Sequence, residues 1–130
     1  MDIIMISVEK KILIVEDDDS LRRAVVEKLS REGFIALQAN NGLAGLECAF
    51  QEHPDLILLD VIMPKMDGLT MLSRLREDVW GKSAQVIMLT NVSDGESVLE
   101  SLNQAAFVYL VKSDWKLEDV VKNIRERLEK

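Results

Sequence analysis

The sequence predicts a single α/β domain built on a doubly wound parallel sheet, with five strands and five helices in (βα)5 order. Short runs of Ile, Leu and Val without polar alternation are typical of parallel strands that are covered on both faces. Stretches with helical periodicity separate these runs, so strand and helix alternate along the chain. The length of 130 residues and the hydrophobic content of 48% suit one domain with its own core.

Five apolar runs are predicted to form the strands, and four of them are followed by polar or charged residues. The runs are 12–15, 34–37, 56–59, 86–89 and 107–111. The residues that follow the first, third, fourth and fifth runs are Glu16 to Asp19, Asp60, Thr90 with Asn91, and Lys112. Packing explains poorly why a buried strand should end on a carboxylate such as Asp60. Open α/β sheets, in contrast, bind their ligands at this edge.

The helices are predicted from apolar residues that recur three and four positions apart. Their apolar faces are Leu21, Ala24, Val25 and Leu29; Leu43, Leu46 and Phe50; Leu69, Leu72 and Leu75; Val98, Leu99 and Leu102; and Leu117, Val120, Val121, Ile124 and Leu128. Gly33 is a natural stop for the first helix, and His53-Pro54 stops the second. We expect His53 to lie on the surface.

Several charged or reactive residues are predicted to be structural. Asp18 and Asp19 should begin the first helix, where a negative charge favours the positive end of the helix dipole. Asp67-Gly68 is most simply a turn into the third helix. Cys48 falls in a helical pattern and is predicted to be a small packed side chain. The charges of 125–130 are expected to form a solvated helix face.

Charge and composition exclude several classes of function. A net charge of -7 and a pI near 4.7 argue against direct nucleic-acid binding. No apolar run approaches the ~20 residues of a membrane span, and the N-terminus lacks the features of a signal peptide. A single cysteine excludes an internal disulfide and a multi-cysteine metal site. We therefore expect a cytoplasmic protein, with residues 1–10 as an extension leading into the first strand and 11–130 as the domain.

The predicted order of the strands brings the polar strand ends together. A doubly wound sheet of five strands has the flavodoxin-like order 2-1-3-4-5, in which strands 1 and 3 are neighbours at the switch point. Glu16, Asp17 and Asp60 should then meet, with Thr90 and Lys112 on the flank. Three carboxylates in one cleft repel each other unless a cation intervenes.

The chemistry of these residues points to Mg²⁺ and to phosphoryl transfer. Carboxylate oxygens without a set of His or Cys residues suit Mg²⁺ rather than zinc. A carboxylate is also a nucleophile toward phosphorus and forms an aspartyl phosphate. Asp60 is the best nucleophile because it is central in the strand order, and Glu16 and Asp17 are better placed as metal ligands. The Thr90 hydroxyl and the Lys112 ammonium could each take a phosphoryl oxygen.

Four motifs stand in a specific order and spacing along the chain. They are Ile-Leu-Ile-Val-Glu-Asp-Asp, Asp-Leu-Ile-Leu-Leu-Asp-Val-Ile-Met-Pro-Lys-Met-Asp-Gly, Val-Ile-Met-Leu-Thr and Tyr-Leu-Val-Lys. With them the chain resembles the receiver domain of bacterial two-component response regulators, from Lys11 to Leu128. The resemblance implies that Asp60 accepts a phosphoryl group from a histidine kinase or phosphotransfer protein. It also implies a Mg²⁺ site whose ligands are Glu16, Asp17, Asp60 and the backbone carbonyl of Ile62.

The resemblance further implies how a phosphorylated receiver would signal. Thr90 and Lys112 would contact the phosphoryl group, and the ring of Tyr109 would turn inward as Thr90 moves. The output surface would be the fourth helix, fifth strand and fifth helix, roughly Glu96 to Glu129. Family members usually have proline after the lysine, where Ser113 stands here. A downstream protein that the sequence does not name, and a homodimer formed on phosphorylation, are the expected partners.

The predicted function is a switched binding module that catalyses only its own phosphorylation and dephosphorylation. Ile62 and Val92, two positions after Asp60 and Thr90, are expected to limit the access of water and slow the loss of phosphate. The alternative is a scaffold of the same fold that works without phosphorylation. An aspartyl phosphatase of the haloacid-dehalogenase type is less favoured, because Ile62 stands where that family has a second aspartate. A flavin carrier would need a different first loop, since acidic residues would repel its phosphate.

Overall fold

A computed structural model describes residues 9–90, 108–111 and 116–129. For Thr90 and for 108–111 it describes the backbone alone. Some of the predicted features lie outside the described residues. They are the extension at 1–8, Asn91, Val92, the fourth helix with Val98, Leu99 and Leu102, the strand residue Phe107, and Lys112 with Ser113. Within the described part of the chain, no helix is long and apolar enough to cross a membrane.

From β1 to β4 the described elements alternate between strand and helix, with one short 3₁₀ turn before the fourth strand. They are β1 Lys11–Val15, α1 Asp19–Arg31, β2 Ile35–Ala39, α2 Gly42–Glu52, β3 Leu56–Asp60, α3 Gly68–Glu77, the 3₁₀ turn Gly81–Ser83, β4 Val86–Thr90, β5 Val108–Val111 and a C-terminal helix Leu117–Leu128. All strand pairs are parallel, in the order β2-β1-β3-β4-β5. The predicted flavodoxin-like, doubly wound fold with order 2-1-3-4-5 is confirmed.

Alternate residues of each central strand point to opposite faces of the sheet and supply two cores. On one face, Leu13, Ile57 and Met88 pack against α2 and α3. On the other face, Ile14 and Leu58 pack against α1 and the C-terminal helix. All five side chains have no solvent exposure, which explains why the strands read as continuous apolar runs without polar alternation.

Helix α2 contacts the sheet through small residues, so its predicted apolar face is wrong in part. Leu46 is buried, but Leu43 and Phe50 are 45% and 38% exposed. The buried side of the helix instead includes Gly45 and Ala49. A Cβ atom on Gly45 would lie 2.8 Å from Cγ1 of a β1 valine. The close approach of helix and strand leaves room only for small side chains, and it turns the larger ones outward.

Each of the first three helices begins at a side chain that accepts a backbone hydrogen bond. Asp18, Asn41 and Asp67 are the N-cap residues, and each accepts from the N–H three positions later at 3.1, 2.9 and 2.8 Å. These bonds satisfy donors that a helix N-terminus leaves open. The predicted roles of Asp18 and of Asp67-Gly68 as helix starts are confirmed.

The charges of the C-terminal helix are not a purely solvated face. Arg125 donates to the Glu32 carboxylate at 2.9 Å and lies over the Phe34 ring at 5.8 Å from its centroid. Arg127 donates to the side chain of Gln85 at 2.8 Å. The expected solvated face is confirmed for Arg125, which is exposed, and is wrong for Arg127, which is partly buried. Both residues contact the rest of the domain, at the end of α1 and at the residue before β4.

Strand β2 runs two residues beyond its predicted end. The apolar run stops at Leu37, yet pairing with β1 continues through Gln38 and Ala39. The Ala39 carbonyl also accepts from the N–H of Glu16 at 3.1 Å. The ladder of backbone hydrogen bonds extends the strand past the point where its side chains become polar.

Cys48 and His53 have the structural roles that the sequence predicts. Cys48 is half-buried against the core. Burial raises the pKa of its thiol most, and the nearby Glu52 carboxylate raises it further, while the positive charge of Lys11 acts in the opposite direction. A raised pKa lowers the thiolate fraction and the reactivity of the sulfur. His53 is exposed and ends α2 with a positive φ of 45°, and its ring stacks on Trp80 with centroids 4.3 Å apart.

Candidate functional site

Three carboxylates meet at the carboxyl ends of β1 and β3. One oxygen from each of Glu16, Asp17 and Asp60 lies within 4.8 Å of the others. Asp60 is only 4% exposed and Glu16 only 1%, whereas Asp17 is exposed. The structure thus brings together the three acidic residues that the sequence predicts to be neighbours.

The register of the sheet explains this meeting. Val15 of β1 pairs with Leu59 of β3, so Glu16 and Asp60 are the next residues on two adjacent strands. The N–H of Glu16 still bonds to β2, which holds the end of β1 in the plane of the sheet. The Asp18 N–H donates to Glu16 Oε2 at 3.2 Å, and this bond closes the turn that carries Asp17.

Two further predicted site residues are located by their backbones. Asp60 pairs with Leu89, so the backbone of Thr90 lies one residue further toward the same edge. On the next strand, Tyr109 pairs with Met88. Both backbones are thus on the strands that flank the acidic residues on one side, while Lys112 and Val92 lie outside the described residues.

The loop after β3 is held tightly against the phosphoacceptor candidate Asp60. The Gly68 N–H donates to the Val61 carbonyl at 2.7 Å, and a Cβ on Gly68 would lie 2.0 Å from the Asp60 carbonyl oxygen. Only glycine fits at that distance. Lys65 has a positive φ of 66° between Pro64 and Met66, whose N–H bonds back to the proline carbonyl at 2.7 Å. Within this tight loop Ile62 is 59% exposed.

One buried cation next to the carboxylates is absent from the sequence-based prediction. Arg22 is 9% exposed and donates to the Glu16 backbone carbonyl at 2.9 Å, to Gln38 at 2.9 Å and to Asp19 at 2.6 Å. A signal for it does exist in the sequence. Arg22 stands three residues before Val25 and seven before Leu29, so it continues the buried stripe of α1.

The donor set fits a divalent metal ion. All three groups offer hard carboxylate oxygens, and the cluster contains no His or Cys. Mg²⁺ prefers such oxygens and typically takes few carboxylates while keeping waters. Two of the carboxylates are buried, so their charges need a compensating cation more than exposed ones would. A parallel sheet with an acidic cluster at its switch point defines a doubly wound α/β protein whose sheet edge offers ligands for a divalent cation.

Comparison with known proteins identifies the family. The family model described as "Response regulator receiver domain" matches residues 12–125. This chain therefore belongs to the response regulator receiver family. Its members are signalling domains of two-component systems, which interact with histidine kinases and downstream effectors.

Individual relatives agree with this assignment. The chain is 34% identical over 124 residues to the "Probable transcriptional regulator ycf27" of Porphyridium aerugineum, with 94% of this chain and 50% of that protein covered. The chain thus spans about half the length of that curated relative. Among solved structures, the chemotaxis protein CheY4 of Vibrio cholerae has a TM-score of 0.84 and 27% identity, covering 92% of this chain and 98% of that one.

A third comparison supports the fold alone. The receiver domain of the sensor histidine kinase PA1611 from Pseudomonas aeruginosa has a TM-score of 0.85 at 21% identity, covering 95% of this chain and 100% of that one. That structure is described as having a magnesium ion coordinated in the active site cleft.

Proposed function

We propose that this chain is a phosphoacceptor module of a two-component phosphorelay and that Asp60 takes the phosphoryl group. The donor would be a phosphohistidine on a histidine kinase or phosphotransfer protein. The observation that carries the proposal is the cluster of Glu16, Asp17 and Asp60 at the switch point of the sheet, with oxygens within 4.8 Å. Asp60 is the central member because its strand lies between β1 and β4.

The chemical step requires little acid-base catalysis. A carboxylate oxygen of Asp60 attacks phosphorus, an O–P bond forms, the N–P bond to the donor histidine breaks, and the imidazole nitrogen keeps the electron pair. Burial of Asp60 removes competing water from its carboxylate, so the group is poised as a nucleophile in a shielded position. Hydrolysis by water later returns the carboxylate and releases phosphate.

The neighbouring residues would position and neutralise charge. Glu16 and Asp17 would hold Mg²⁺ together with Asp60 and the backbone carbonyl of Ile62. When bound, Mg²⁺ supplies positive charge that stabilises the phosphoryl oxygens. The Thr90 hydroxyl and the Lys112 ammonium would each bind one of those oxygens.

The signal would leave through the surface of the fourth helix, β5 and the C-terminal helix. Phosphorylation adds charge at Asp60, draws Thr90 toward it and lets the Tyr109 ring turn inward. The changed surface would bind a downstream protein or a second copy of the chain. The net charge of -7 makes direct binding of nucleic acid by this chain unfavourable. We expect a cytoplasmic location, because the chain must meet the histidine kinase or phosphotransfer protein that donates its phosphoryl group.

Phosphorylation of the purified chain tests this proposal. With Mg²⁺ and acetyl phosphate, the intact mass should rise by one phosphoryl group. When EDTA is present from the start instead of Mg²⁺, no such rise should appear. Asp60→Asn should show no gain under the same conditions because the nucleophile is gone. Glu47→Gln, which changes an exposed carboxylate on α2, is the matched control and should be labelled like the unmodified chain.

The result also separates the proposal from a scaffold that works without phosphorylation. No mass gain in the unmodified chain, with correctly folded protein, would leave the scaffold as the better account. Steady turnover of a generic phosphate ester would instead point to a phosphatase.

A further inference from the structure

The side chain of Arg22 reaches from α1 to the end of β1 and is almost completely buried. Its Nη1 donates to the backbone carbonyl of Glu16 in a buried contact of 2.9 Å. Its Nε donates to Gln38 at the end of β2, and its Nη2 contacts Asp19 in the first turn of α1. The planar guanidinium thus joins three elements with donors in a fixed relative geometry.

The bond to Glu16 bears directly on the acidic cluster. The carbonyl of Glu16 belongs to the peptide group that links it to Asp17, so the direction of that carbonyl sets where the Asp17 backbone begins. The neighbouring Asp18 N–H already holds the Glu16 carboxylate at 3.2 Å. Arg22 therefore holds the backbone of the turn that carries Glu16 and Asp17, which are two of the three residues of the cluster.

We propose that Arg22 is a positioning residue for a divalent cation bound by Glu16, Asp17 and Asp60. This inference rests on the cation site of the proposed function. Arg22 does not contact the cation itself; it holds the peptide that presents two of the ligands. Groups that orient metal ligands in this way commonly change metal affinity by about 10–100-fold when they are replaced.

Charge and position predict opposite effects for this residue. A buried positive charge near a cation site repels the cation, so a neutral side chain would tighten binding if charge alone mattered. If position matters more, the neutral variant weakens binding because the Glu16–Asp17 peptide loses its hydrogen bond. The sign of the change in affinity therefore distinguishes the two accounts.

The test is cation affinity of the full chain, measured without any phosphoryl donor. Mg²⁺ binding is followed by calorimetry, and Mn²⁺ binding by the electron paramagnetic resonance signal of the free ion. Arg22→Met should weaken both by about tenfold. Arg22→Lys keeps the positive charge but loses the planar set of guanidinium donors. Its cation affinity should lie between those of Arg22→Met and the unmodified chain. Arg23→Met removes the neighbouring exposed cation and should bind like the unmodified chain.

Urea unfolding of each variant without metal separates folding from positioning. A variant that is less stable but binds the cation with unchanged affinity in its folded state would overturn the inference, as would tighter binding by Arg22→Met. If Arg22→Met does not fold, the affinity of Arg22→Lys decides by itself, and an unchanged value would overturn the inference. If the unmodified chain binds neither ion, the proposed cation site is wrong and the inference falls with it.

Discussion

Asp60 and Ile62 are two residues apart in sequence and have opposite environments. The carboxylate of Asp60 is 4% exposed at the end of a central strand, while Ile62 is 59% exposed on the loop that follows. A large aliphatic side chain that is mostly exposed gains little from packing, and its position two residues after the proposed phosphoacceptor suggests a different use. We expect it to cover the approach of water to the acyl phosphate.

Replacement of Ile62 by Asn should therefore speed the loss of phosphate several-fold, because a polar side chain can admit and orient water. The half-life of the phosphorylated chain, followed by intact mass after removal of the phosphoryl donor, measures this. Ile62→Val keeps an apolar cover and is the control, with a half-life close to that of the unmodified chain. Equal half-lives for Ile62→Asn and Ile62→Val would contradict the role of Ile62. Val92, the other residue expected to slow hydrolysis, stays a prediction.

At the scale of elements, the contact between α2 and β1 depends on a missing side chain. A Cβ on Gly45 would lie 2.8 Å from Val15 Cγ1 and 3.1 Å from the sulfur of Met71. Val15 is the last residue of β1 and immediately precedes the acidic turn. The packing of α2 is thus coupled to the strand that presents Glu16.

Replacement of Gly45 by Ala should lower the free energy of unfolding by about 1–2 kcal/mol. Overpacking in a filled core costs about 1–3 kcal/mol, and the higher helix propensity of alanine offsets up to about 1 kcal/mol of it. Urea unfolding followed by circular dichroism measures the change. Glu47→Ala, an exposed change on the same helix, should stay within about 0.5 kcal/mol. A stabilised Gly45→Ala variant would show that α2 lies further from β1.

At the scale of the whole molecule, the acidic cluster should oppose folding when no divalent cation is present. Three carboxylates with oxygens within 4.8 Å repel each other, and two of them are buried. The unfolded chain separates these charges, so the repulsion acts against the folded state alone. Binding of a cation to the folded state reverses the effect by mass action.

Asp60→Asn should accordingly raise the free energy of unfolding in EDTA by about 1–3 kcal/mol, the scale of like-charge repulsion at the effective dielectric of a protein surface. The same variant should gain less stability than the unmodified chain when Mg²⁺ is added. Thermal unfolding with EDTA and with Mg²⁺ tests both statements. Glu47→Gln removes an equal charge outside the cluster, on the exposed side of α2, and should respond to Mg²⁺ like the unmodified chain. A less stable Asp60→Asn variant in EDTA would contradict the expected repulsion.

Much of the fold and of the candidate site could be predicted from the sequence. The central strands are buried on both faces, and an unbroken apolar run records that environment directly. The carboxyl ends of parallel strands share one edge, so residues that follow β1 and β3 had to meet once the strand order was known. Glu16, Asp17 and Asp60 lie together for this reason, and the N-caps Asp18 and Asp67 depend only on their own helix starts.

The sequence by itself determined the alternation of strands and helices and the polar residues at the strand ends, because periodicity and strand ends record local burial. The order of the sheet, and with it the acidic cluster, followed from the rule for doubly wound folds. Only the tertiary structure decided which acceptors hold the buried Arg22 and which apolar residues of α2 are exposed. Arg22 is buried because three elements offer it acceptors, and Phe50 is exposed because Gly45 lets α2 approach β1 closely. The contacts of Arg22 with Gln38 and of Gly45 with Val15 join residues distant in sequence, and their distances are set only when the helices pack on the sheet.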